Sequence, residues 1–319
     1  MDYAKLAKEV LLTEAKELEN AASMIGKEMV EAVSLISNTK GKLIISGVGK
    51  SGLVGAKMAA TFASTGTSSF FLHPTEAMHG DLGMIGKDDA LLAISYSGES
   101  EELIKILPHI KRFNIPLIAM AKDKDTTLGK YADVFIPIFV EKEACPLNTA
   151  PTSSTTLTMA LGDALAICLM EHRGFEKKDF ASFHPGGSLG KMLFVKIKDI
   201  MRDKNLPIVS PKTPLKEAIV TMSEGRLGNV LIAENDKLKA VLSDGDLRRA
   251  LMRDDFSMDS DSITYASCNP KYTTDENMLA SEALKLIEEY KLQHLVVTDK
   301  DKKIKGVLHI HDLIEAGIK

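Results

Sequence analysis

Five short apolar runs, most of them followed by a stretch of helical periodicity, dominate the chain between residues 43 and 138. The runs are Leu43–Ser46, Ser69–Leu72, Ala90–Ser95, Pro116–Ala121 and Val134–Ile138. Near-continuous apolar strands that alternate with helices are typical of a parallel sheet covered on both faces. The pattern therefore predicts a doubly wound α/β domain with a five-stranded parallel sheet. Before it, the first ~40 residues repeat apolar side chains at spacings of three and four, which predicts helix.

The last third of the chain contains an internal repeat. Ala240–Arg249 resembles Gly306–Glu315 in pattern, and Asp246 and Asp312 hold equivalent places in the two copies. Each copy predicts helix, strand, turn, strand and helix, and two long copies favour a pair of small α/β modules over a solenoid. The expected domains are 1–194 for the first domain, 195–258 for the first module and 259–319 for the second.

Composition and charge exclude several classes of protein. The 319 residues are 45% hydrophobic and 26% charged, which excludes long disorder, and a net charge of −4 argues against a general nucleic-acid binder. Three scattered cysteines (Cys145, Cys168 and Cys268) fit a reducing compartment and lack paired metal-ligand spacing. Lys8 and Glu9 stand where a signal peptide needs an apolar run, and no stretch approaches the ~20 apolar residues of a membrane span. We therefore expect a cytoplasmic protein with neither a nucleic-acid nor a membrane partner.

A glycine-rich loop, Gly47-Val-Gly-Lys-Ser-Gly52, follows the first predicted strand and opens a helix. It matches the dinucleotide pattern G-x-G-x-x-G, but the expected acidic residue is poorly placed, since Glu76 comes after the tip of the second strand. In a P-loop the first glycine would fall on Ile44, and a plain glycine turn is a third interpretation. A fourth is an anion site, because N–H groups at a helix start favour phosphate and Lys50 adds a positive charge.

Three serines surround a glycine directly after the third predicted strand, in Ser95-Tyr-Ser97-Gly-Glu-Ser100. A serine N-cap explains one of them, and hydroxyl donors to a bound phosphate would explain all three. Open α/β sheets bind ligands at the carboxyl ends of their strands. The two loops therefore predict one phosphate-binding edge.

Two family resemblances rest on these residues. Ser95-x-Ser97-Gly-Glu-Ser, following the glycine loop, resembles the sugar isomerase (SIS) domain, and the repeated halves resemble a tandem pair of CBS domains with Asp246 and Asp312 at the signature position. Further blocks resemble, in family order, the arabinose-5-phosphate isomerase family: Gly49–Gly52, Met58–Thr67, His79–Gly83, Glu143–Pro146, Ala150–Thr156, His184–Gly187 and Asp244–Arg249. Tyr96 departs from that family, in which Asn is common between the two serines.

The resemblance implies the interconversion of D-ribulose 5-phosphate and D-arabinose 5-phosphate, which starts the synthesis of 3-deoxy-D-manno-octulosonate (Kdo) for lipopolysaccharide or capsule. It implies a homotetramer without cofactor or required metal, in which His79 and His184 are candidate contacts for inhibitory zinc. The implied catalytic residues are Lys50, His79, Glu102, Glu143 and His184. The implied phosphate-binding residues are Ser51, Ser95, Ser97 and Ser100. In the CBS pair, Asp246 and Asp312 are candidate ligands of a nucleotide or of CMP-Kdo, although each is equally explained as a helix N-cap.

Aldose–ketose isomerisation through an enediol needs a base for the carbon-bound proton, a proton shuttle between two oxygens and donors for the enediolate. Our assignment makes Glu143 the base, Glu102 its partner or a hydroxyl anchor, and His184 the group for ring opening or oxygen-side proton transfer. Lys50 would offset negative charge. As plain alternatives, Glu102 is a solvated helix residue, and Glu143, His79 and His184 are ordinary loop residues. Two rival functions remain open: a non-catalytic phosphosugar- or nucleotide-sensing module, and an isomerase of another ketose phosphate.

Overall fold

The structure is a computed structural model that describes residues 1–318 of the chain. The chain divides into two compact units, Met1–Phe183 and His184–Lys319. The domain boundary after residue 194, expected from the sequence, stays a prediction. Each unit is described by itself below.

The first unit combines a parallel sheet with flanking helices. A short 3-10 helix covers Asp81–Met84. The other elements, in chain order, are α1 (Tyr3–Met24), α2 (Lys27–Asn38), β1 (Leu43–Gly47), α3 (Gly49–Ser64), β2 (Ser69–Phe71), α4 (Pro74–Met78), β3 (Ala90–Ile94), α5 (Glu101–Arg112), β4 (Leu117–Ala121), α6 (Thr127–Tyr131), β5 (Val134–Pro137), α7 (Ser153–Arg173) and α8 (Lys177–Phe183).

The sheet has five strands in the order β2-β1-β3-β4-β5, and every neighbouring pair is parallel. Each strand lies within one of the apolar runs, apart from the end of β1 at Gly47. The chain moves outward from β1 to β2 and then returns past β1 to β3, so the strand order reverses direction between β1 and β3. The predicted fold class, a doubly wound five-stranded parallel sheet, is confirmed.

Two apolar clusters cover the two faces of this sheet. Ile45 and Met120 belong to the cluster that also contains buried residues of α2, α3 and α7. Ile44 and Ala119, each next to one of them in sequence, belong to the other cluster, with buried residues of α4, α5 and α6. Successive strand residues point to opposite faces, so a sheet covered on both faces needs continuous apolar runs.

The N-terminal helical stretch predicted from the sequence is two helices in the structure. α1 ends at Met24 and α2 begins at Lys27, because Gly26 adopts φ −139° and ψ −140°, outside the helical region. The carboxylate of Glu28 accepts a hydrogen bond of 2.6 Å from the N–H of Gly26. A glycine lacks a Cβ and weakens a helix interior, which explains the break.

α7 is long and apolar enough, by length and composition alone, to cross a membrane, and among the described residues it is the one helix that meets this criterion. Half of the most apolar 18-residue stretch of α7 is buried. Its Leu157, Leu161 and Leu165 belong to the cluster shared with α3, and Asp163 forms an ion pair with Lys57 of α3. α7 therefore has the burial of a core helix.

The second unit contains two small sheets. Short 3-10 helices cover Ile197–Asp199 and Ser262–Tyr265. The other elements are α9 (Ser188–Phe194), β6 (Ile208–Val209), α10 (Leu215–Gly225), β7 (Asn229–Glu234), β8 (Lys237–Ser243), α11 (Asp244–Ala250), β9 (Tyr272–Thr273), α12 (Ala280–Glu289), β10 (His294–Thr298), β11 (Ile304–His309) and α13 (Ile310–Glu315).

The two sheets repeat one arrangement, as the internal repeat predicts. In each, the short first strand is parallel to the middle strand, and the last strand is antiparallel to it. Leu231 and Val241 of one module form a buried cluster with Val296 and Val307 of the other. The expected pair of small α/β modules is confirmed.

Candidate functional site

A cavity of about 540 Å³ opens at the carboxyl ends of β1 and β3, where the strand order reverses direction. Such a reversal separates the two loops that follow the strands and leaves a crevice for a ligand. The lining residues come from the loops after β1, β3 and β5 and from the starts of α3 and α7: Val48, Lys50, Ser51, Val54, Ser95, Tyr96, Ser97, Ser100, Val140, Glu141, Glu143, Asn148, Thr149, Pro151, Ser154, Thr155 and Thr158.

The glycine loop brings the first turn of α3 directly against the end of β1. A Cβ at Gly52 would lie 2.7 Å from the carbonyl oxygen of Gly47, so only glycine allows this approach. Lys50 and Ser51 stand in the first turn of α3, where backbone N–H groups lack helical partners and favour an anion. Glu76 lies within α4, after β2 has ended, as the sequence indicates.

The serine loop folds its hydroxyls around the start of α5. The Oγ of Ser95 lies 2.9 Å from the Oγ of Ser100 and accepts a 3.1 Å hydrogen bond from the N–H of Gly98. The Oγ of Ser97 accepts one of 3.2 Å from the N–H of Glu99. Gly98 has φ +69°, and a Cβ there would collide with the side chain of Thr126, so this turn requires glycine. Clustered hydroxyls at a helix start suit a phosphate group.

Glu143 lies in the loop that follows β5, and its carboxylate caps the start of α7. Its Oε2 accepts hydrogen bonds from the N–H of Thr152 (2.8 Å), the hydroxyl of Thr152 (3.0 Å) and the N–H of Ser154 (3.2 Å). Partial burial opposes ionisation of Glu143, but the hydrogen bonds from Ser154 and Thr152 outweigh it and hold its pKa below the ordinary value. The cavity wall therefore carries an ionised, oriented carboxylate.

The loop around Glu143 is held by its own polar contacts. The side-chain oxygen of Asn148 accepts a 2.8 Å hydrogen bond from the N–H of Glu143, and the hydroxyl of Thr152 accepts one of 2.8 Å from the N–H of Ala144. Asn148 has φ +48°, a left-handed conformation that Asn tolerates better than most residues. Our sequence reasoning missed Asn148 and Thr149, although an Asn between two prolines is a turn signal.

Tyr96, the departure from the family pattern, lines the same cavity. Burial raises the pKa of Tyr96, a hydrogen bond with the backbone of Val140 opposes this shift, and the negative charges of Glu143 and Glu17 add to it. A phenol therefore lies within the electrostatic influence of the carboxylate on the cavity wall.

The structure brings some of the expected site residues together in this cavity: Lys50, Ser51, Ser95, Ser97, Ser100 and Glu143. Glu102 lies in the first turn of α5 and exposed His79 follows the last residue of α4, and neither lines the cavity as described for residues 1–318. His184 is the first residue of the second unit, where its carbonyl oxygen accepts a hydrogen bond from the N–H of Gly187. The catalytic roles of Glu102, His79 and His184 stay predictions.

A larger cavity, of about 1050 Å³, lies in the second unit beside α11. Its lining includes Asp246 and the charged side chains of Arg248, Arg249, Lys271 and Lys291. Three contacts hold the carboxylate of Asp246 in place: one oxygen accepts from the N–H (2.9 Å) and the hydroxyl (2.5 Å) of Ser243, and the other pairs with Arg249 (2.5 Å). Ser243 is the N-cap of α11 and Asp246 completes its capping box, so the expected N-cap is the serine rather than the aspartate.

Asp312, the equivalent residue of the second module, has a different environment. It lies outside the lining described for the larger cavity, and it completes the capping box of His309 at α13. The guanidinium of Arg202 donates to both carboxylate oxygens, with Nε 3.1 Å from each and a terminal nitrogen 2.7 Å from Oδ1. Both aspartates are therefore paired with an arginine, Asp246 with Arg249 and Asp312 with Arg202, and they differ in that Asp246 lines the cavity.

Comparison with known proteins places both units in families. Residues 35–168 match the SIS domain, and residues 197–253 and 263–319 match the CBS domain. The chain is similar to an uncharacterized protein of Helicobacter pylori strain ATCC 700392 / 26695 (48% identical over 324 residues, 100% of this chain and 98% of that protein). It is also similar to the arabinose 5-phosphate isomerase KdsD of Pseudomonas aeruginosa (45% identical over 322 residues, 100% of this chain and 98% of that protein).

A solved structure supports the same relationship for the first unit. The structure of c3406 from E. coli CFT073 in complex with arabinose 5-phosphate is 40% identical, with a TM-score of 0.57, and it covers 58% of this chain and 98% of that one. All residues that line the smaller cavity fall within the segment 35–168 that matches the SIS domain.

Proposed function

The chain belongs to the arabinose 5-phosphate isomerase family, and we propose that it interconverts D-ribulose 5-phosphate and D-arabinose 5-phosphate in the cavity at the carboxyl edge of its five-stranded sheet. One observation carries this proposal: an ionised carboxylate, Glu143, lines the same cavity as two helix starts suited to phosphate. The E. coli relative was solved with arabinose 5-phosphate, which supports the substrate class.

The substrate phosphate is placed at the serine loop. The hydroxyls of Ser95, Ser97 and Ser100 and the N–H groups at the start of α5 are the donors there, and Lys50 supplies a cation from the first turn of α3. This arrangement orients the sugar so that its reactive end extends towards the loop that carries Glu143.

The chemistry then requires a proton to move between neighbouring carbons. The C1–H bond of the ketose breaks, its proton passes to the carboxylate of Glu143, and the C2 oxygen takes up a proton to give an enediol. Return of a proton to C2 and loss of the O1 proton give the aldose, so atoms and electrons balance without an oxidant. Lys50 and the hydroxyl groups of the lining stabilise the negative charge that develops on oxygen.

The base must be deprotonated at neutral pH and must be held in one orientation. Both conditions are met by the three hydrogen bonds to the Oε2 of Glu143, which hold its pKa low and fix the carboxylate. Two further roles belong to the proposal as the family resemblance implies them: Glu102 is the partner of Glu143 or a hydroxyl anchor, and His184 serves ring opening or oxygen-side proton transfer.

The experiment is direct conversion of D-ribulose 5-phosphate by the purified chain, with a chelator present and D-arabinose 5-phosphate measured as product. Turnover supports the proposal. Binding without turnover would favour a phosphosugar-sensing module. Preferential turnover of a hexulose or heptulose phosphate, run beside it at the same concentration, would favour an isomerase of another ketose phosphate.

For the second unit we propose a regulatory nucleotide, with CMP-Kdo as a second candidate, at the cavity that contains Asp246. Arg248 and Lys271 are exposed cations suited to phosphate, and Asp246 suits ribose hydroxyls. Because Asp246 lines this cavity and Asp312 lies outside the lining described for it, the proposal is one ligand site rather than two equivalent ones. Calorimetric titration with AMP, ATP and CMP-Kdo tests it, and a stoichiometry of two per chain would contradict it.

The remaining attributes are proposals that follow from the family: a cytoplasmic homotetramer whose product supplies Kdo for lipopolysaccharide or capsule. Light scattering of the purified chain tests the assembly, with four times the monomer mass as the expected result. A stable monomer or dimer at micromolar concentration would contradict it.

A further inference from the structure

A single carboxylate on α1 has an environment unlike that of its neighbours. Glu17 is only 5% exposed and is the buried residue of α1, whereas Glu19 on the same helix is exposed and pairs with Lys16. Burying a carboxylate is costly unless hydrogen bonds replace its water. Specific hydrogen bonds must therefore stabilise the buried carboxylate of Glu17.

Those contacts are with the loop that carries Glu143. The Oε2 of Glu17 accepts a 3.0 Å hydrogen bond from the N–H of Glu141, and its Oε1 accepts one of 3.1 Å from the N–H of Lys142. The next N–H, of Glu143 itself, donates to Asn148. Three consecutive backbone amides are thus fixed, two of them by one residue more than 100 positions earlier in the chain.

A second contact of α1 is with the first turn of α7, the helix that follows this loop. The Oε2 of Glu14 accepts a 3.0 Å hydrogen bond from the hydroxyl of Thr156, near the start of α7. The start of α7 supplies the Ser154 N–H that holds the carboxylate of Glu143. Glu17 on one side and Glu14 on the other therefore fix both the backbone of Glu143 and the helix start that orients its side chain.

We propose that Glu17 is a positioning residue for the isomerisation, because it holds the backbone before Glu143 in the one place from which the carboxylate reaches the substrate. This inference rests on the proposed function. Reacting groups must stay close to their productive geometry, and a displacement of about 1 Å can cost about a hundredfold in rate. Glu17 is outside the lining described for the cavity, and the proposed role is exerted through the backbone before Glu143.

The test compares Glu17→Gln and Glu17→Ala with the matched control Glu19→Gln. Gln keeps one acceptor oxygen and so satisfies one of the two amides, whereas Ala satisfies neither. We expect Glu17→Gln to lower kcat by about tenfold and Glu17→Ala by about a hundredfold, with KM within about threefold of wild type. Glu19→Gln keeps wild-type kinetics. A change in KM alone, or wild-type kcat in both Glu17 variants, would overturn the proposal.

Amide hydrogen exchange reports the two hydrogen bonds to Glu17 directly, whether or not the protein is active. The N–H groups of Glu141 and Lys142 should exchange about tenfold faster or more in Glu17→Gln, and as in wild type in Glu19→Gln. Unchanged exchange overturns the proposal even if activity falls. If Glu17→Gln does not fold, Glu17→Asp replaces it, since Asp keeps the charge on a side chain that is one methylene shorter. Glu17→Asp should show the same loss of kcat. Wild-type kcat in Glu17→Asp would also overturn the proposal.

The two proposals fail in different ways. An active wild type with unaffected Glu17 variants removes the positioning role alone. If wild type and Glu19→Gln are both inactive on D-ribulose 5-phosphate, the proposed function fails and the positioning role falls with it.

Discussion

The two cavities of this chain are suited to anions by different means. At the edge of the five-stranded sheet, helix starts and serine hydroxyls provide the donors, and the lining includes the carboxylates of Glu141 and Glu143 beside one lysine. In the module pair, exposed side chains such as Arg248 and Lys271 provide the positive charge. Donors built into the backbone are preorganised and leave room for an ionised base, which suits catalysis. Exposed charged side chains attract an anion electrostatically, and dissolved salt weakens this attraction, which suits reversible sensing.

Removal of the proposed base should have the largest effect, and it tests whether the sheet-edge cavity is the catalytic one of the two. We expect Glu143→Gln to lower kcat by about a thousandfold, since general acid–base groups contribute about 10² to 10⁴. Steady-state kinetics with D-ribulose 5-phosphate measure this change, beside Glu171→Gln at the exposed far end of α7 as the control. A folded Glu143→Gln variant with a tenth or more of wild-type kcat would show that Glu143 is only the cap of α7.

The serine loop should contribute mainly to binding. Ser97→Ala removes a hydroxyl from the proposed phosphate site, and a hydrogen bond to a charged group is worth about 1.5–3 kcal/mol. The expected result is a KM for D-ribulose 5-phosphate about tenfold higher or more, with a smaller change in kcat. Ser23→Ala on α1 is the control. An unchanged KM in Ser97→Ala would remove this serine from the phosphate site.

The two equivalent aspartates of the module pair should respond unequally. Asp246→Asn is expected to weaken nucleotide binding by about tenfold, because Asp246 lines the cavity, whereas Asp312→Asn should change it by less than about twofold. Titration calorimetry with AMP at two salt concentrations measures both variants. Equal losses in the two variants would mean that both aspartates bind ligand and that Arg202 is displaced.

The smallest effect concerns pH. The pKa of Glu143 lies below its ordinary value of 4.5, so this carboxylate is ionised at neutral pH. If it is the base, as we propose, the rate constant kcat/KM should decline only at pH values below 4.5. The stability that its hydrogen bonds contribute is present above the unfolded pKa and is lost as the pH falls through the lower folded pKa. Kinetics between pH 4 and 8 check this decline. If kcat/KM instead declines near pH 6, and still does so in Glu143→Gln, the decline belongs to a group other than Glu143.

The fold was predictable from the sequence because five apolar runs, continuous along β1, β3 and β4, leave few alternatives to a sheet buried on both faces. The glycine and serine loops were predictable for a similar reason, since parallel strands bring their carboxyl ends to one edge. The break at Gly26 was missed, although an isolated glycine in a helical pattern is a local signal for it.

The rest of the site depends on contacts between distant parts of the chain. Glu102 and Glu143 are equally plausible carboxylates in the sequence, and only the folded loop places Glu143 on the cavity wall. The contact of Glu17 with residues 141 and 142 likewise has no local signature, although Glu14 and Glu17 occupy positions of α1 on the same face as Val10 and Ala21. The pairing of Arg202 with Asp312 joins residues that no periodicity relates.

The most direct test of the central claim follows the reaction from both directions. D-ribulose 5-phosphate and D-arabinose 5-phosphate are incubated separately with a catalytic amount of the purified chain until their ratio stops changing. We expect the same final ratio from either starting sugar, and no change within that time when Glu143→Gln replaces the wild type. If neither sugar phosphate is consumed by the wild type, the sheet-edge cavity is not the active site of this isomerase.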